Sequence, residues 1–349
     1  MLTCGMPQLA VSAKLPGNHK ILPVVDKVKV DANTERVIKG ALKFLSAQQR
    51  FSSSGKRAGY WEGRKEGKEK IALTGYVLMA YMAAGNLPGE GPFGKEVSLG
   101  LIYLLQQVDD DTGIYGAPSS HPYHYMYGHG IATIALSELY GQTRDQRIRK
   151  KLQSVVERIV ACQNAQGGWR YRPVKRDADI SVTVLQCVAL RAAKNSGIDV
   201  PQQTLDNAVK YVKSCFHSGS GGFSYQPGAR DGFARTAAAI YSLQVCGLYE
   251  DSRVKSGSRY LFDKFRKDSE WFVYGNFYAA PAQYMQGGDT WVKWYPMVKD
   301  YLMKSVKREN DICYWEPIGR FRQGGAVFTT SVFTMILAMP YHYVPLYQR

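Results

Sequence analysis

Side chains able to do chemistry gather in two stretches of this 349-residue chain. The first, His121-Pro122-Tyr123-His124-Tyr125-Met126-Tyr127-Gly128-His129, holds three of the six histidines among interleaved tyrosines. Three converging imidazoles would ligate a metal, but no cysteine joins them and their spacing matches no zinc pattern. No metal site is expected there, and no cofactor is implied. A packed aromatic loop accounts for the stretch equally well. The second, Asp177-Ala178-Asp179-Ile180-Ser181, sets two carboxylates two residues apart where an apolar segment opens. Asp179 or Ser181 is well placed to cap a helix there. A third acidic run, Asp109-Asp110-Asp111-Thr112, precedes Gly113 and reads as a solvated turn.

The elements that must position these residues follow from a repeat. Gly59, Gly113, Gly167 and Gly221 lie 54 residues apart, and each is followed two positions later by an aromatic ring: Trp61, Tyr115, Trp169 and Phe223. Gly85, Gly141 and Gly197 keep a second beat of 56, with Gly247 following 50 later. Degraded copies surround Trp271-Phe272 and Tyr314-Trp315. Six such units imply a repeat architecture closed into a ring.

Each unit reads as two helices. The first is amphipathic, as in Ile148, Leu152, Val155, Val156 and Ile159 with Arg147, Lys150, Lys151 and Arg158 on other faces. The second is apolar or small nearly all round, as in Ile71–Ala84, Gly130–Tyr140, Ile180–Ala193, Thr236–Val245 and Phe328–Met339. A helix without a polar face must be covered on every side. Glycines 85, 141, 197 and 247 fall where left-handed C-terminal caps are wanted. The expected fold is all-α, an (α/α)6 toroid of outer amphipathic and inner apolar helices. All inner helices of such a ring start at one end. Lys70, His129, Asp179, Arg235, Tyr278 and Thr330 therefore crowd one rim. Tyr127, His129, Arg235 and Tyr278 are the expected substrate contacts, with aromatic faces able to stabilise a cation or stack on a sugar.

Composition narrows the class. The unbroken repeat argues for one domain over residues 34–349, preceded by an N-terminal arm of residues 1–33. Val11-Ser12-Ala13 resembles a cleavage site, so the arm is either the remnant of a signal segment or a leader into the first helix, and the protein is either cytoplasmic or exported. No apolar run is long enough to cross a bilayer. The six cysteines show no metal spacing. A formal charge of +16 suits an anionic membrane surface, whereas nucleic-acid binding lacks a supporting motif.

The element Gln163-Asn164-Ala165-Gln166-Gly167-Gly168-Trp169 resembles the Gln-Trp repeat motif of squalene–hopene and oxidosqualene cyclases, and Gln107 through Tyr115 is a looser copy. Protein prenyltransferase β subunits share that toroid, and the chain looks like the single-toroid prenyltransferase/squalene oxidase repeat proteins. The cyclases carry an acid motif, D-x-D-D-T, at the place where this chain has Asp177-Ala178-Asp179-Ile180-Ser181. The resemblance implies that Asp179 delivers a proton to an alkene and Asp177 modulates it, with Ile180 replacing the third acid. Such an acid must be kept neutral by burial. The prenyltransferase zinc signature has its letters in Asp311-Ile312-Cys313 and the distant His342, but in the wrong part of the repeat. Three functions follow: a protonation-initiated cyclase acting on an isoprenoid, a non-catalytic module binding a lipid or peptide, and a carbohydrate-active toroid cleaving an acidic polysaccharide.

Overall fold

A computed structural model describes residues 27–52, 57–64, 69–116, 125–265, 270–319 and 324–347. The N-terminal arm up to residue 26, including the cleavage-site candidate, lies outside them, as do His121 and His124. Among the described residues the main elements are twelve helices: α1 (Ala32–Ala47), α2 (Lys70–Ala83), α3 (Gly94–Gln107), α4 (Tyr125–Thr143), α5 (Gln146–Ala161), α6 (Ile180–Ser196), α7 (Gln202–Ser214), α8 (Phe233–Val245), α9 (Ser252–Lys264), α10 (Phe272–Gln286), α11 (Gly288–Ser305) and α12 (Gly325–Ala338). The strands are two short antiparallel hairpins, β1 (Arg50–Phe51) with β2 (Gly59–Tyr60), and β3 (Lys307–Glu309) with β4 (Ile312–Tyr314).

Even-numbered helices form the inner ring. Each packs on the next, and α12 packs on α2 to close the circle. Odd-numbered helices lie outside, each against the inner helix before it and the one after. The division follows from the side chains. On α5 the stripe Ile148, Leu152, Val155, Val156 and Ile159 is wholly buried, whereas α12 is buried on every face from Val327 to Ala338. The protein is an (α/α)6 toroid, and no helix among the described residues is long and apolar enough to cross a membrane.

The 54-residue beat records one packing joint. Trp61, Tyr115, Trp169 and Phe223 are all buried, and Trp315 repeats the arrangement. The indole N–H of Trp61, Trp169 and Trp315 donates to a carbonyl near the end of the preceding outer helix: Leu45 at 2.6 Å, Ile159 at 2.7 Å and Leu302 at 2.9 Å. Each of these carbonyls also accepts a backbone N–H from its own helix end, from Gln48, Cys162 or Val306, so the indole adds a second donor that ties the ring to the last turn. The backbone N–H of the same aromatic donates to a threonine on the next inner helix, Thr74, Thr183, Thr236 or Thr330, at 2.9–3.2 Å. The glycine before the ring is required for two reasons. Gly167 has φ +93°, and a Cβ there would lie 2.2 Å from the Asn207 carbonyl oxygen of α7.

One expected cap differs. Gly85, Gly197 and Gly247 are left-handed as expected, but Gly141 lies inside α4, which runs on to Thr143. Arg144, at φ 55°, makes the left-handed turn instead. Aromatic rings from α2, α10 and α12 pack on one another across the inner ring. Tyr76 meets Phe277 at 5.0 Å and Phe328 at 4.9 Å, and Tyr278 lies fully buried beside Phe277. At the C-terminal end of the inner helices the chain's last turns plug the ring. Leu346 and Tyr347 are buried there, and the Leu346 N–H faces the Glu138 carboxyl at 3.4 Å. Burial pushes Glu138 up to about 8.

Candidate functional site

The connection after α5 builds the mouth at the other end. Trp169 is pinned by the joint above, so the residues that follow it are held against the start of α6. The Asp179 N–H donates to the Trp169 carbonyl at 3.1 Å, closing the loop that carries Arg170, Tyr171 and Asp177. One repeat later Tyr225 stands 54 residues beyond Tyr171. The two tyrosines do equivalent work: the Tyr171 carbonyl accepts the Met126 N–H at the start of α4, and the Tyr225 carbonyl accepts the Ile180 N–H at the start of α6. Their hydroxyls hydrogen-bond to each other. Tyr127 stacks on Tyr171 at 6.1 Å, and Tyr274 stands edge-on to Tyr127 at 6.5 Å while its hydroxyl donates to the Ser181 carbonyl at 3.2 Å. Four half-buried tyrosines from α4, α10 and two connections thus cluster at the end where the inner helices start.

Asp179 sits beneath them, fully buried. Its two oxygens have different duties. Oδ1 caps α6 by accepting the Val182 N–H at 2.9 Å. Oδ2 is buried without a hydrogen bond of ordinary geometry and faces Arg170 Nε at 3.5 Å. Desolvation pushes the carboxyl up to about 6, against the opposing pull of the cap, the Tyr225 hydroxyl and Arg170. Arg170 also binds Asp177 through Nη1 at 2.5 Å, so one guanidinium bridges both carboxylates, and it lies 5.0 Å from the Tyr171 ring. Asp177 itself is exposed and reaches Asp179 only through that arginine.

The other expected contacts fall elsewhere. His129 occupies the threonine position of the joint in the second repeat. Its Nε2–H donates to the Gly113 carbonyl at 3.2 Å, its ring meets Tyr115 edge-on at 5.0 Å, and burial lowers its pKa to about 4. It is therefore a neutral core residue behind the mouth. Arg235 is half-buried and turns back to the carbonyls of Arg230 and Asp231. Tyr278 lies more than a turn inside α10, behind Tyr274 at 5.1 Å. Asp109 closes an Asx turn by accepting from Thr112, and Asp110 pairs with Lys151, both exposed to water. The prenyltransferase letters do not meet: Asp311 pairs with Lys43, Cys313 packs under Gly40 of α1, and His342 bonds Tyr284. Arg170, Tyr171, Tyr225 and Tyr274, which surround Asp179 in the structure, are not among the expected contacts. The signal for two of them was present, since Tyr171 and Tyr225 keep the 54-residue beat two places after the counted ring.

With this geometry in view, the comparisons place the fold. A family model described as a domain of unknown function (DUF6288) matches residues 98–236. No curated protein matches the chain. Among solved structures, the cellobiose 2-epimerase of Bacillus thermoamylovorans is similar at 14% identity and TM-score 0.63, over 87% of this chain and 98% of that one. A type II terpene cyclase, MstE from Scytonema, is similar at 13% identity and TM-score 0.58, over 89% and 99%. An inactive variant of an α-1,6-mannanase from a Salegentibacter species, in complex with α-1,6-mannotriose, is similar at 10% identity and TM-score 0.61, over 89% and 99%. Identities this low show the toroid and nothing finer. Sugar-acting and terpene-cyclising proteins stand side by side on it.

Proposed function

We propose that the tyrosine-framed mouth binds a carbohydrate and that Asp179 is its general acid. The observation behind this reading is a buried carboxyl pushed up to about 6, whose Oδ2 faces Arg170 without an ordinary hydrogen bond, set among four tyrosines. An acid of that strength is matched to protonating a leaving oxygen near neutral pH, whereas protonating an alkene asks for a stronger one. Tyrosine faces stack on sugar rings and their hydroxyls exchange hydrogen bonds with sugar hydroxyls. The aromatic rings packed across the inner ring favour the tyrosine cluster as the place for a ligand. In this reading Tyr127 is a stacking surface, Tyr278 backs Tyr274, and Arg235 shapes the neighbouring loop. Asp177 positions Arg170 against the acid, and the +16 charge favours an acidic polysaccharide.

A second reading keeps Asp179 as acid and replaces the sugar with an isoprenoid. It is favoured by the match of Asp177-x-Asp179 to the cyclase motif and by the similar terpene cyclase. Both readings meet one experiment. The purified protein is incubated with neutral and acidic oligosaccharides and with isoprenoids, and products and co-purified ligands are read by mass spectrometry. Sugar conversion lost in Asp179→Asn, with sugar binding kept, is the expected result. Isoprenoid conversion without sugar binding would select the second reading, and neither would overturn both.

A further inference from the structure

Two cysteines at the far end of the inner ring take no part in the mouth. Cys187 lies on α6 and Cys246 closes α8, and their sulfurs are 3.5 Å apart. Both are free thiols. Cys187 is wholly buried, whereas Cys246 is half-buried and borders a cleft lined by Arg191, Asp206, Lys213 and Leu248. Cys162, Cys215 and Cys313 are buried. A pair of this kind, one thiol reachable and the other directly behind it, has the arrangement that dithiol oxidation needs.

We propose that Cys187 and Cys246 form an oxidation site which a hydroperoxide converts to a disulfide, tying the third inner helix to the fourth. The Cys246 thiolate attacks a peroxide oxygen, the O–O bond breaks, and the leaving oxygen departs as water or an alcohol after taking a proton. Cys187 sulfur then attacks the Cys246 sulfenic acid. The S–S bond forms, the S–O bond breaks, and water leaves with the Cys187 proton. Two thiols are oxidised and one peroxide is reduced. The hydrogen bond from Cys187 draws Cys246 below the usual thiol range and holds Cys187 well above it, and Arg191 further favours the Cys246 thiolate. The sulfurs must close by about 1.5 Å to reach bonding distance, a movement within reach of side-chain adjustment. The bridge would span 59 positions of the chain and shrink the unfolded ensemble accordingly.

The test is titration of the full chain with hydrogen peroxide, followed by thiol counting under denaturing conditions and peptide mapping. One equivalent should remove two of the six thiols, lower the mass by two hydrogens and yield a Cys187–Cys246 cross-linked peptide. The thermal midpoint should rise, and the reductant dithiothreitol should reverse each change. In Cys187→Ser, Cys246 should stop at a sulfenic acid that dimedone traps. Retention of all six thiols, a cross-link to any other cysteine, or over-oxidation of Cys246 in the unaltered chain would overturn the proposal. The mapping uses the native sequence, so the outcome does not depend on a variant folding.

Discussion

Replacing Asp179 with asparagine should make the protein more stable at neutral pH while removing the proposed sugar conversion. Burial raises this carboxyl from 3.8 to about 6 in the native state. The folded protein therefore holds the proton more tightly than the unfolded chain does. Stability is full below pH 3.8 and is lost as pH rises through 6. At about 1.4 kcal/mol per pH unit the loss amounts to about 3 kcal/mol above pH 6. That is sizeable against the roughly 5–15 kcal/mol that holds a typical domain together. Asparagine keeps the cap, because its carbonyl oxygen still accepts the Val182 N–H, and Arg170 retains Asp177. The variant should thus match the parent near pH 4 and exceed it by about 1–3 kcal/mol at pH 7.5. Urea unfolding at both values measures this without adding salt that would screen the charges. A difference that does not change with pH, or an asparagine variant that is the weaker one at pH 7.5, would refute a buried and strained carboxylate.

Two further outcomes are expected from the fold. Gly167→Ala and Gly221→Ala both force a left-handed residue, at a cost of about 1–2 kcal/mol each. The new methyl at 167 meets a backbone carbonyl, while that at 221 meets the Ser256 hydroxyl at 2.4 Å, which can rotate away. Chemical denaturation should place Gly167→Ala at least about 1 kcal/mol below Gly221→Ala, and the reverse order would contradict the joint described here. Glu138→Gln should abolish an alkaline loss of stability. The native carboxyl is raised from 4.5 to about 8, so the parent is most stable below pH 4.5 and loses that advantage as pH climbs through 8. Thermal unfolding at pH 6 and pH 9 should show a smaller drop for the variant, and equal drops would mean that Glu138 is hydrated.

The toroid was legible because its packing joint recurs with the residue types that the joint demands. A glycine is needed where a helix carbonyl crowds the turn, and a ring is needed to fill the wedge between repeats. Both are rare enough to show against the background. The threonine that completes the joint was not legible, because the connections vary in length. It follows its aromatic by 13, 14, 13 or 15 residues, so it keeps no single beat. That is why His129, 14 residues after Tyr115, read as a rim residue when it stands buried at the threonine's position, while the Tyr125 hydroxyl accepts the Tyr115 N–H in the second repeat. The lining of the mouth was hidden for a different reason. Tyr274 lies on the most degraded repeat, and Arg170 has no counterpart 54 residues on, where Ser224 stands.

In the proposed function, capping and acid chemistry need not compete for Asp179. The N-termini of the inner helices converge on the mouth, and their free amides favour an anion there. A carboxylate placed on one of them would ordinarily become the weak base of a strengthened acid, permanently ionised. Here the tyrosine frame removes water from the same group, and desolvation outweighs the cap, the arginine and the hydroxyl together. The cap then fixes Oδ1 and orients Oδ2, so the helix supplies geometry while burial strengthens the carboxyl's hold on a proton. Position on the fold and availability of the proton are thus set by two separate causes. Only the first of them can be read from a motif.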